Sequence, residues 1–184
     1  MEQNTDRMWW TIGIIGALRR GGRRVFAKEH ILPKISQAFV KMLEDKEGNW
    51  GTNGKFVVDK DGNAVIYAID ASKPIVFHDM ASENDNLPKA TLTTLTFQDK
   101  VQGDTNSSMA YAFGYSYKYP NLKTITNLDT NVDTSNVTNM SGMFFMSKKL
   151  TSVGDLSKWD ISKVTDMGSM FYGSKLTPPA WYHE

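Results

Sequence analysis

The C-terminal part of this chain contains an internal repeat, which restricts the possible folds more than any other feature. Residues 132–144 and 159–171 carry nearly the same order of residues at one constant offset. A repeat of about 20 to 50 residues is typical of a solenoid, because one such unit is too small to bury its apolar face and must stack on the next. The sequence therefore predicts stacked units here.

Each unit contains an apolar stripe of helical spacing. The stripe residues lie at i, i+3, i+6 and i+7, which places them on one face of a helix. They are Val137, Met140, Met143 and Phe144 in one unit and Val164, Met167, Met170 and Phe171 in the other. Ser135 or Asn136 precedes the first stripe and Ser162 the second, and these residue types are favoured N-caps. The pattern predicts a short helix in each unit.

A short apolar run separates the two stripes and predicts a strand over residues 150–156. Its apolar residues are spaced at +3 and +6, and the same spacing occurs upstream: Leu150, Val153 and Leu156 in one run, and Leu122, Ile125 and Leu128 in the other. Gly154 predicts a β-bulge that accommodates the extra residue.

The two repeat units resemble the BspA-like leucine-rich repeat family of bacterial surface proteins. The resemblance lies in residues 133–144 and 159–167, where Asp, Ser, Val, Thr and Met recur in the same order and spacing, and it covers about a quarter of the chain. It implies a surface-exposed bacterial protein whose repeats bind other macromolecules, in adhesion to host proteins or neighbouring cells. The chain departs from the family in its strand, where the family usually spaces apolar residues at +3 and +5.

A less regular copy of the repeat precedes the two clear ones, and a different segment follows them. Residues 101–113 align with residues 132–144, at a slightly longer offset than the one between the two clear copies. After Leu176, two prolines stop the pattern, because proline cannot donate to a strand ladder. We expect Trp181 and Tyr182 to cover the last open face.

The composition excludes several kinds of site. Basic and acidic residues nearly cancel, 21 against 20, so no global field indicates nucleic acid as a partner. The chain has no cysteine, which excludes disulfides and thiolate metal sites. The histidines, His30, His78 and His183, lie in different contexts, and none is spaced from another ligand as zinc requires. We expect no catalytic residue, no metal site and no cofactor, so the protein is predicted not to be an enzyme.

The N-terminal residues 1–44 predict an amphipathic or apolar helical segment. Residues 8–18 are uncharged and are followed at once by four arginines. This run is too short for a bilayer core, which needs about 20 residues in a helix. The positive charges follow the apolar run, whereas a signal peptide places them before it.

Three roles are open for this N-terminal segment. It can pack on the domain that follows, or lie in a membrane interface with its tryptophans at the headgroups and its arginines against anionic lipid. It can also be the buried assembly helix of a filament or virion, which makes the protein a homo-oligomer. The predicted interface residues are Trp9, Trp10, Ile14, Ile15, Leu18, Arg19, Arg20, Arg23 and Arg24.

Residues 45–100 predict a small β-rich region. Two β-type runs, 55–58 and 64–69, flank a short loop that contains Asp61 and Gly62, which predicts a hairpin. Further strands are predicted at 75–77 and 92–97.

The sequence thus predicts an α+β fold: an N-terminal helical segment (1–44), a small β-rich region (45–100) and a short leucine-rich-repeat-type solenoid with a C-terminal cap (101–184). The predicted core residues are Ile125, Leu128, Val137, Met140, Met143, Phe144, Leu150, Val153, Leu156, Trp159, Ile161, Val164, Met167, Met170, Phe171 and Leu176.

The predicted function is that of a non-catalytic bacterial surface protein, at the cell surface or extracellular, whose repeats bind host or neighbouring-cell macromolecules. Residues between the apolar positions of a strand face outward, so Thr124, Thr126, Ser152 and Asp155 are the predicted ligand-binding residues. The alternative is a structural subunit of a pilin-like filament or a virion, assembled through its N-terminal helix with the repeats outermost.

Overall fold

The structure is a computed structural model and describes residues 46–183. Nine strands form two sheets in this part of the chain. The strands are β1 (Lys46–Asn49), β2 (Gly54–Val58), β3 (Asn63–Ala68), β4 (Ile75–Asp79), β5 (Thr94–Phe97), β6 (Val101–Ser108), β7 (Thr124–Thr126), β8 (Val132–Asp133) and β9 (Val137–Asn139). Two short helices, α1 (Met80–Glu83) and α2 (Leu128–Asn131), and two 3-10 turns, Asn84–Asn86 and Leu156–Lys158, connect them.

The first sheet has the strand order β1-β2-β3-β5-β7. The first three strands are antiparallel, and the predicted hairpin between β2 and β3 is confirmed. Its turn forms because the Asp59 carboxylate accepts the amide protons of Asp61 and Asn63, both at 2.9 Å, while Gly62 adopts a φ of +83°. Along β2 and β3 buried residues alternate with partly exposed ones, which is the pattern of a sheet with one face on the core.

The second sheet has the order β4-β6-β8, and β9 also pairs with β6. All of these pairs are parallel. The predicted strand at residues 75–77 is confirmed as part of β4. Trp50, which is fully buried, lies 6.3 Å from the Phe77 ring of this sheet and 5.8 Å from the Phe97 ring of the first sheet. The core therefore lies between the two sheets.

The sequence repeats correspond to parallel, in-register layers. Thr94 pairs with Thr124, and Thr124 forms a parallel bridge with Ser152, so equivalent positions lie side by side. We name the layers by these positions: the first repeat begins at Thr94, the second at Thr124 and the third at Ser152. In the third repeat the predicted strand at residues 150–156 is only this single bridge, and Gly154 lies in irregular backbone with a φ of +83° rather than in a bulge.

The predicted short helices at the apolar stripes are wrong. Residues 137–139 form β9, and the residues after them form successive turns, as do those around Met170. The reason lies in the backbone amides. Those of Met140 and Phe144 donate to the carbonyls of Asp166 and Met170 in the next repeat, at 2.8 and 2.9 Å, instead of to the fourth residue back. Other amides donate to the carbonyl three residues back, as the Met143 amide does to the Met140 carbonyl. Successive turns of this kind still place the apolar stripe on the core side.

The predicted fold class is also wrong. Residues 46–183 are mostly β-sheet with only short helices, and they do not form the α+β arrangement that ends in a leucine-rich-repeat-type solenoid. The predicted N-terminal helical segment, with Trp9, Trp10, Ile14, Ile15, Leu18, Arg19, Arg20, Arg23 and Arg24, lies outside the described residues. The division at residue 100 stays a prediction, and each sheet contains strands from both sides of that position.

Most of the predicted core residues are buried. Ile125, Leu128, Val137, Met140, Met143, Phe144, Leu150, Val153, Leu156, Trp159, Met170 and Phe171 are buried, whereas Ile161, Val164, Met167 and Leu176 are only partly so. The four exceptions all lie in the third repeat. They stay partly exposed because no further repeat packs against that layer within the described residues.

Candidate functional site

A cluster of aromatic side chains lies on the surface where the turns of the three repeats meet. It consists of Tyr111, Tyr115 and Tyr117 of the first repeat, Phe145 of the second and Tyr172 of the third, and we call it the aromatic face. Tyr117 is 74% exposed, Tyr172 58% and Tyr111 40%. Single exposed apolar residues are ordinary on protein surfaces, but a contiguous group of them marks an interaction site.

The rings of the aromatic face are in mutual contact. The Tyr115 ring lies 5.2 Å from Tyr117 and 5.3 Å from Phe145, measured between centroids, and Phe145 lies 5.4 Å from Tyr172. The Tyr111 ring stacks on Tyr115 at 5.6 Å with an interplanar angle of 13°. The contacts hold the rings in place, so a ligand meets a preformed surface at a small entropic cost.

The backbone that carries this face is held by bonds between repeats. The amides of Tyr111, Phe113 and Tyr115 donate to the carbonyls of Ser141, Met143 and Phe145, at distances from 2.6 to 3.0 Å. A similar set joins the second repeat to the third. Tyr111 and Tyr115 have left-handed backbone conformations, so this segment is not a regular strand, and Phe113 is buried whereas Tyr111 is exposed and Tyr115 partly exposed.

A second stack of rings lies beneath the aromatic face. The Phe144 ring lies 6.0 Å from Phe113 and 5.4 Å from Phe171, and each is buried. Tyr119 contacts Phe113 at 6.3 Å, and its hydroxyl donates to the Ala112 carbonyl at 2.9 Å. Burial raises the pKa of Tyr119. The buried stack gives the surface rings a rigid support.

Two tyrosines of the face occupy backbone positions that usually favour glycine. Tyr111 and Tyr115 have φ values of +53° and +68°. The equivalent positions of the later repeats, Gly142 and Ser169 for Tyr111 and Met146 and Gly173 for Tyr115, also have positive φ values. The left-handed conformation is therefore a property of the turn in every repeat, and a non-glycine residue in it costs roughly 1 to 2 kcal/mol.

The predicted ligand-binding residues lie on a different surface. Thr124 and Thr126 are on the outer side of β7, and Ser152 is beside Thr124 in the next repeat. Thr124 is partly buried, and the other two are exposed. Asp155 follows in the turn, so three of the four residues are brought together at the edge of the first sheet. Whether they bind a ligand stays a prediction.

The carboxylate of Asp155 has a local structural role. It accepts the Ser157 amide proton at 3.0 Å, and hydrogen bonds from Ser157 lower the pKa of Asp155. Asp160 and Ser162 repeat the arrangement at 2.9 Å, again with a lowered pKa for the aspartate. These Asp-to-amide turns replace the serine N-caps that the sequence predicts, because an aspartate two positions earlier supplies the acceptor.

The described residues bring together one polar pair that the sequence does not reveal. His78 Nδ1 lies 2.8 Å from Asp104 Oδ1 on neighbouring strands, and the hydrogen bond to this carboxylate raises the pKa of His78. Both side chains are exposed. Within residues 46–183 no three His, Asp or Glu side chains converge on a possible metal position, and no helix is long and apolar enough to span a membrane.

Sequence reasoning missed all five residues of the aromatic face. The available signal was the second aromatic residue that directly follows the stripe in both clear repeats, Phe145 after Phe144 and Tyr172 after Phe171. Only one of two adjacent rings can point into the core. The other must lie outside, and it does so at the same place in each repeat.

The repeat region matches one protein-family model. Residues 106–177 match a family described as "Mycoplasma protein of unknown function, DUF285". No curated protein and no solved structure gives a match. The matched residues cover less than half of the chain and include every residue of the aromatic face, so this face belongs to the part that is similar to a family of unknown function.

Proposed function

We propose that this chain is a non-catalytic bacterial surface protein that adheres to a partner through its aromatic face. The main observation in support of this proposal is the contiguous group of five rings across three repeats, in which Tyr117 and Tyr172 are more than half exposed. Tyrosine and phenylalanine are enriched at interfaces, because each buries a large apolar area with few rotatable bonds. A cell-surface location is supported by the resemblance of the repeats to BspA-like surface proteins and by the partial family match.

The proposed role is tested by the binding of the labelled full chain to cultured epithelial cells and to immobilised extracellular matrix proteins. The test variant is Tyr117→Ser with Tyr172→Ser, which removes the two most exposed rings of the face. The matched control is Ile69→Ser, because Ile69 is 60% exposed but lies at the end of β3. All chains are first compared by circular dichroism.

We expect the double variant to lose on the order of tenfold or more in affinity, because a central interface aromatic contributes about 2 kcal/mol or more. The control should bind as the wild-type chain does. Adhesion is refuted if the wild-type chain is retained on none of these surfaces, and the role of the aromatic face is refuted if the double variant binds as well as the control.

A further inference from the structure

The segments that carry the aromatic face are rich in lysine. The turn segments 109–123, 140–151 and 167–183 contain five lysines and no aspartate or glutamate. The lysines are Lys118, Lys123, Lys148, Lys149 and Lys175. Lys118 Nζ lies 5.5 Å from the Tyr115 ring centroid, and within the described part of the chain none of the five forms an ion pair.

The aspartates that flank these segments have hydrogen-bond partners. Asp133, Asp155, Asp160 and Asp166 each accept the amide proton of the second residue after them. Asp85 lies near Tyr119 but forms an ion pair with Lys89. The near-zero net charge of the chain therefore conceals three segments in which lysine is the only charged residue type, and the aromatic face lies on these segments.

The charges and rings also recur along the stacking direction. Lys118 and Lys149 occupy equivalent positions of the first two repeats, and Lys148 and Lys175 occupy equivalent positions of the second and third. Tyr115, Phe145 and Tyr172 follow one another at 5.3 and 5.4 Å in the same direction. A surface with at least one ring and one or two lysines in each repeat is suited to a linear polymer with repeated negative charge.

We propose that the partner of the aromatic face is an anionic polysaccharide, which lies across the three repeats with its sugar rings on the aromatic side chains and its sulfate or carboxylate groups beside the lysines. The inference rests on the proposed adhesive function and names the chemistry of its ligand. The apolar C–H face of a sugar packs on an aromatic ring, and the tyrosine hydroxyls can hydrogen-bond to sugar oxygens. Lysine supplies a mobile point charge that suits scattered anionic groups.

Single-stranded nucleic acid fits this face less well. Bases can insert between aromatic side chains, but the rings here are in mutual contact at 5.2 to 5.6 Å and leave no gap for insertion. The residues from 46 to 183 contain no arginine, the side chain that binds phosphate in a bidentate manner. An acidic protein would not present charges at the period of the repeats.

The inference is tested with the full chain on immobilised heparin, with neutral dextran and a thymidine oligonucleotide as competing probes. The test variants are Lys148→Ser with Lys149→Ser, and Tyr117→Ser with Tyr172→Ser. The matched control, Lys46→Ser with Lys60→Ser, removes the same charge from exposed sites on β1 and in the β2–β3 loop. Because the five N-terminal arginines are also basic, every measurement is repeated with Arg7, Arg19, Arg20, Arg23 and Arg24 replaced by serine.

We expect salt-sensitive binding to heparin and none to dextran, with about fivefold weaker binding for the lysine variant and tenfold or more for the tyrosine variant. The control should stay within about twofold of the wild-type chain. The inference is overturned if either test variant binds heparin as well as the wild-type chain does. It is also overturned if heparin binding disappears once the arginines are replaced. A preference for the oligonucleotide would assign the face to nucleic acid instead.

Soluble heparin also separates this inference from the adhesive function. It should displace the wild-type chain from epithelial cells. If cell binding depends on Tyr117 and Tyr172 but is not displaced by heparin, the polysaccharide assignment is wrong and adhesion stands. If the tyrosine variant still binds cells as the wild-type chain does, the adhesive role of the aromatic face is refuted, whatever the result with heparin.

Discussion

Asn84 shows how a single side chain joins distant parts of this protein. It is fully buried, and its amide accepts the Trp50 Nε1 proton and donates to the Ala112 carbonyl, both at 2.9 Å. Trp50 lies well before it in the chain and Ala112 well after it. A buried amide that satisfies both neighbours stabilises the core, whereas its loss leaves polar groups without partners in an apolar environment.

Replacing Asn84 by leucine should lower the free energy of unfolding by about 1 to 3 kcal/mol, because the Trp50 indole N–H loses its acceptor. Ala112 keeps the Tyr119 hydroxyl as a donor, so the cost falls mainly on Trp50. Urea unfolding followed by tryptophan fluorescence measures it. Asn86→Leu is the matched control, since Asn86 is exposed in the same 3-10 turn, and an equal loss in both variants would contradict the assignment.

The turn elements that replace the predicted helices depend on glycine at one position of the second repeat. Gly142 has a φ of +57°, and a Cβ atom there would lie 2.2 Å from the Tyr111 ring. Gly142→Ala should cost roughly 1 to 2 kcal/mol of stability from the backbone alone, and it should also displace Tyr111 from the aromatic face. Thermal unfolding measures the first effect, and heparin binding measures the second.

Gly168→Ala is the control for that substitution. Gly168 is exposed, and the nearest atom to an added Cβ is an Asp166 carboxylate oxygen at 3.4 Å. We expect a change within about 0.5 kcal/mol. Equal effects of the two alanine substitutions would show that neither the left-handed backbone nor the Tyr111 contact matters.

The aspartate turns make the stability of the repeats depend on pH. Hydrogen bonds from Ser162 lower the pKa of Asp160 below its ordinary value of 3.8, and the same holds for Asp155 with Ser157. A carboxyl group with a lowered folded-state pKa contributes stability that is full above its unfolded pKa and is lost as the pH falls through the folded value. The repeats should therefore weaken below about pH 4.

Asp160→Asn tests this pH dependence, because the amide oxygen can still accept the Ser162 proton but does not titrate. Between neutral pH and about pH 3, the urea midpoint of the wild-type chain should fall by more than that of the variant. The dependence of the unfolding free energy on urea should be the same for both chains at neutral pH. A variant whose midpoint falls as steeply in acid as that of the wild-type chain would exclude a contribution from this carboxylate.

At the largest scale, within residues 46–183, one buried cluster extends from Trp50 to Phe171, and the C-terminal residues Trp181 and Tyr182 pack against it. Trp181 Nε1 donates to the Leu156 carbonyl at 2.9 Å, and the Tyr182 ring contacts Phe171 edge-on at 5.0 Å. Val164, Met167 and Leu176 are partly buried and also pack against the cluster. The segment thus shields an edge that would otherwise expose apolar side chains and unpaired backbone groups.

Deletion of residues 178–184 should lower the free energy of unfolding by about 2 kcal/mol or more, because Phe171, now 7% exposed, loses its cover. The shortened chain should also self-associate, since exposed apolar edges pair with one another. Thermal unfolding and analytical ultracentrifugation measure the two effects. His183→Ala should change neither, and a shortened chain that is as stable and as monomeric as this control would refute the role of the segment.

The sequence by itself determined which residues are repeated and most of the residues that are buried. Local sequence pattern predicts three features: the constant offset between the two clear repeats, the hairpin of β2 and β3, and the burial of Val137, Met140, Met143 and Phe144. Burial can be predicted from the sequence because any regular backbone that places apolar side chains on one side will bury that side away from water.

Only the tertiary structure decided the backbone conformation and the candidate site. A spacing of three and four positions fits a helix and a series of turns equally well, and the choice depends on where each amide finds an acceptor. For Met140 and Phe144 the acceptors are the carbonyls of Asp166 and Met170, far along the chain in the adjacent repeat. The same long-range bonds align Tyr115, Phe145 and Tyr172 into one surface. No local pattern contains that alignment, because it exists only once the repeats have stacked.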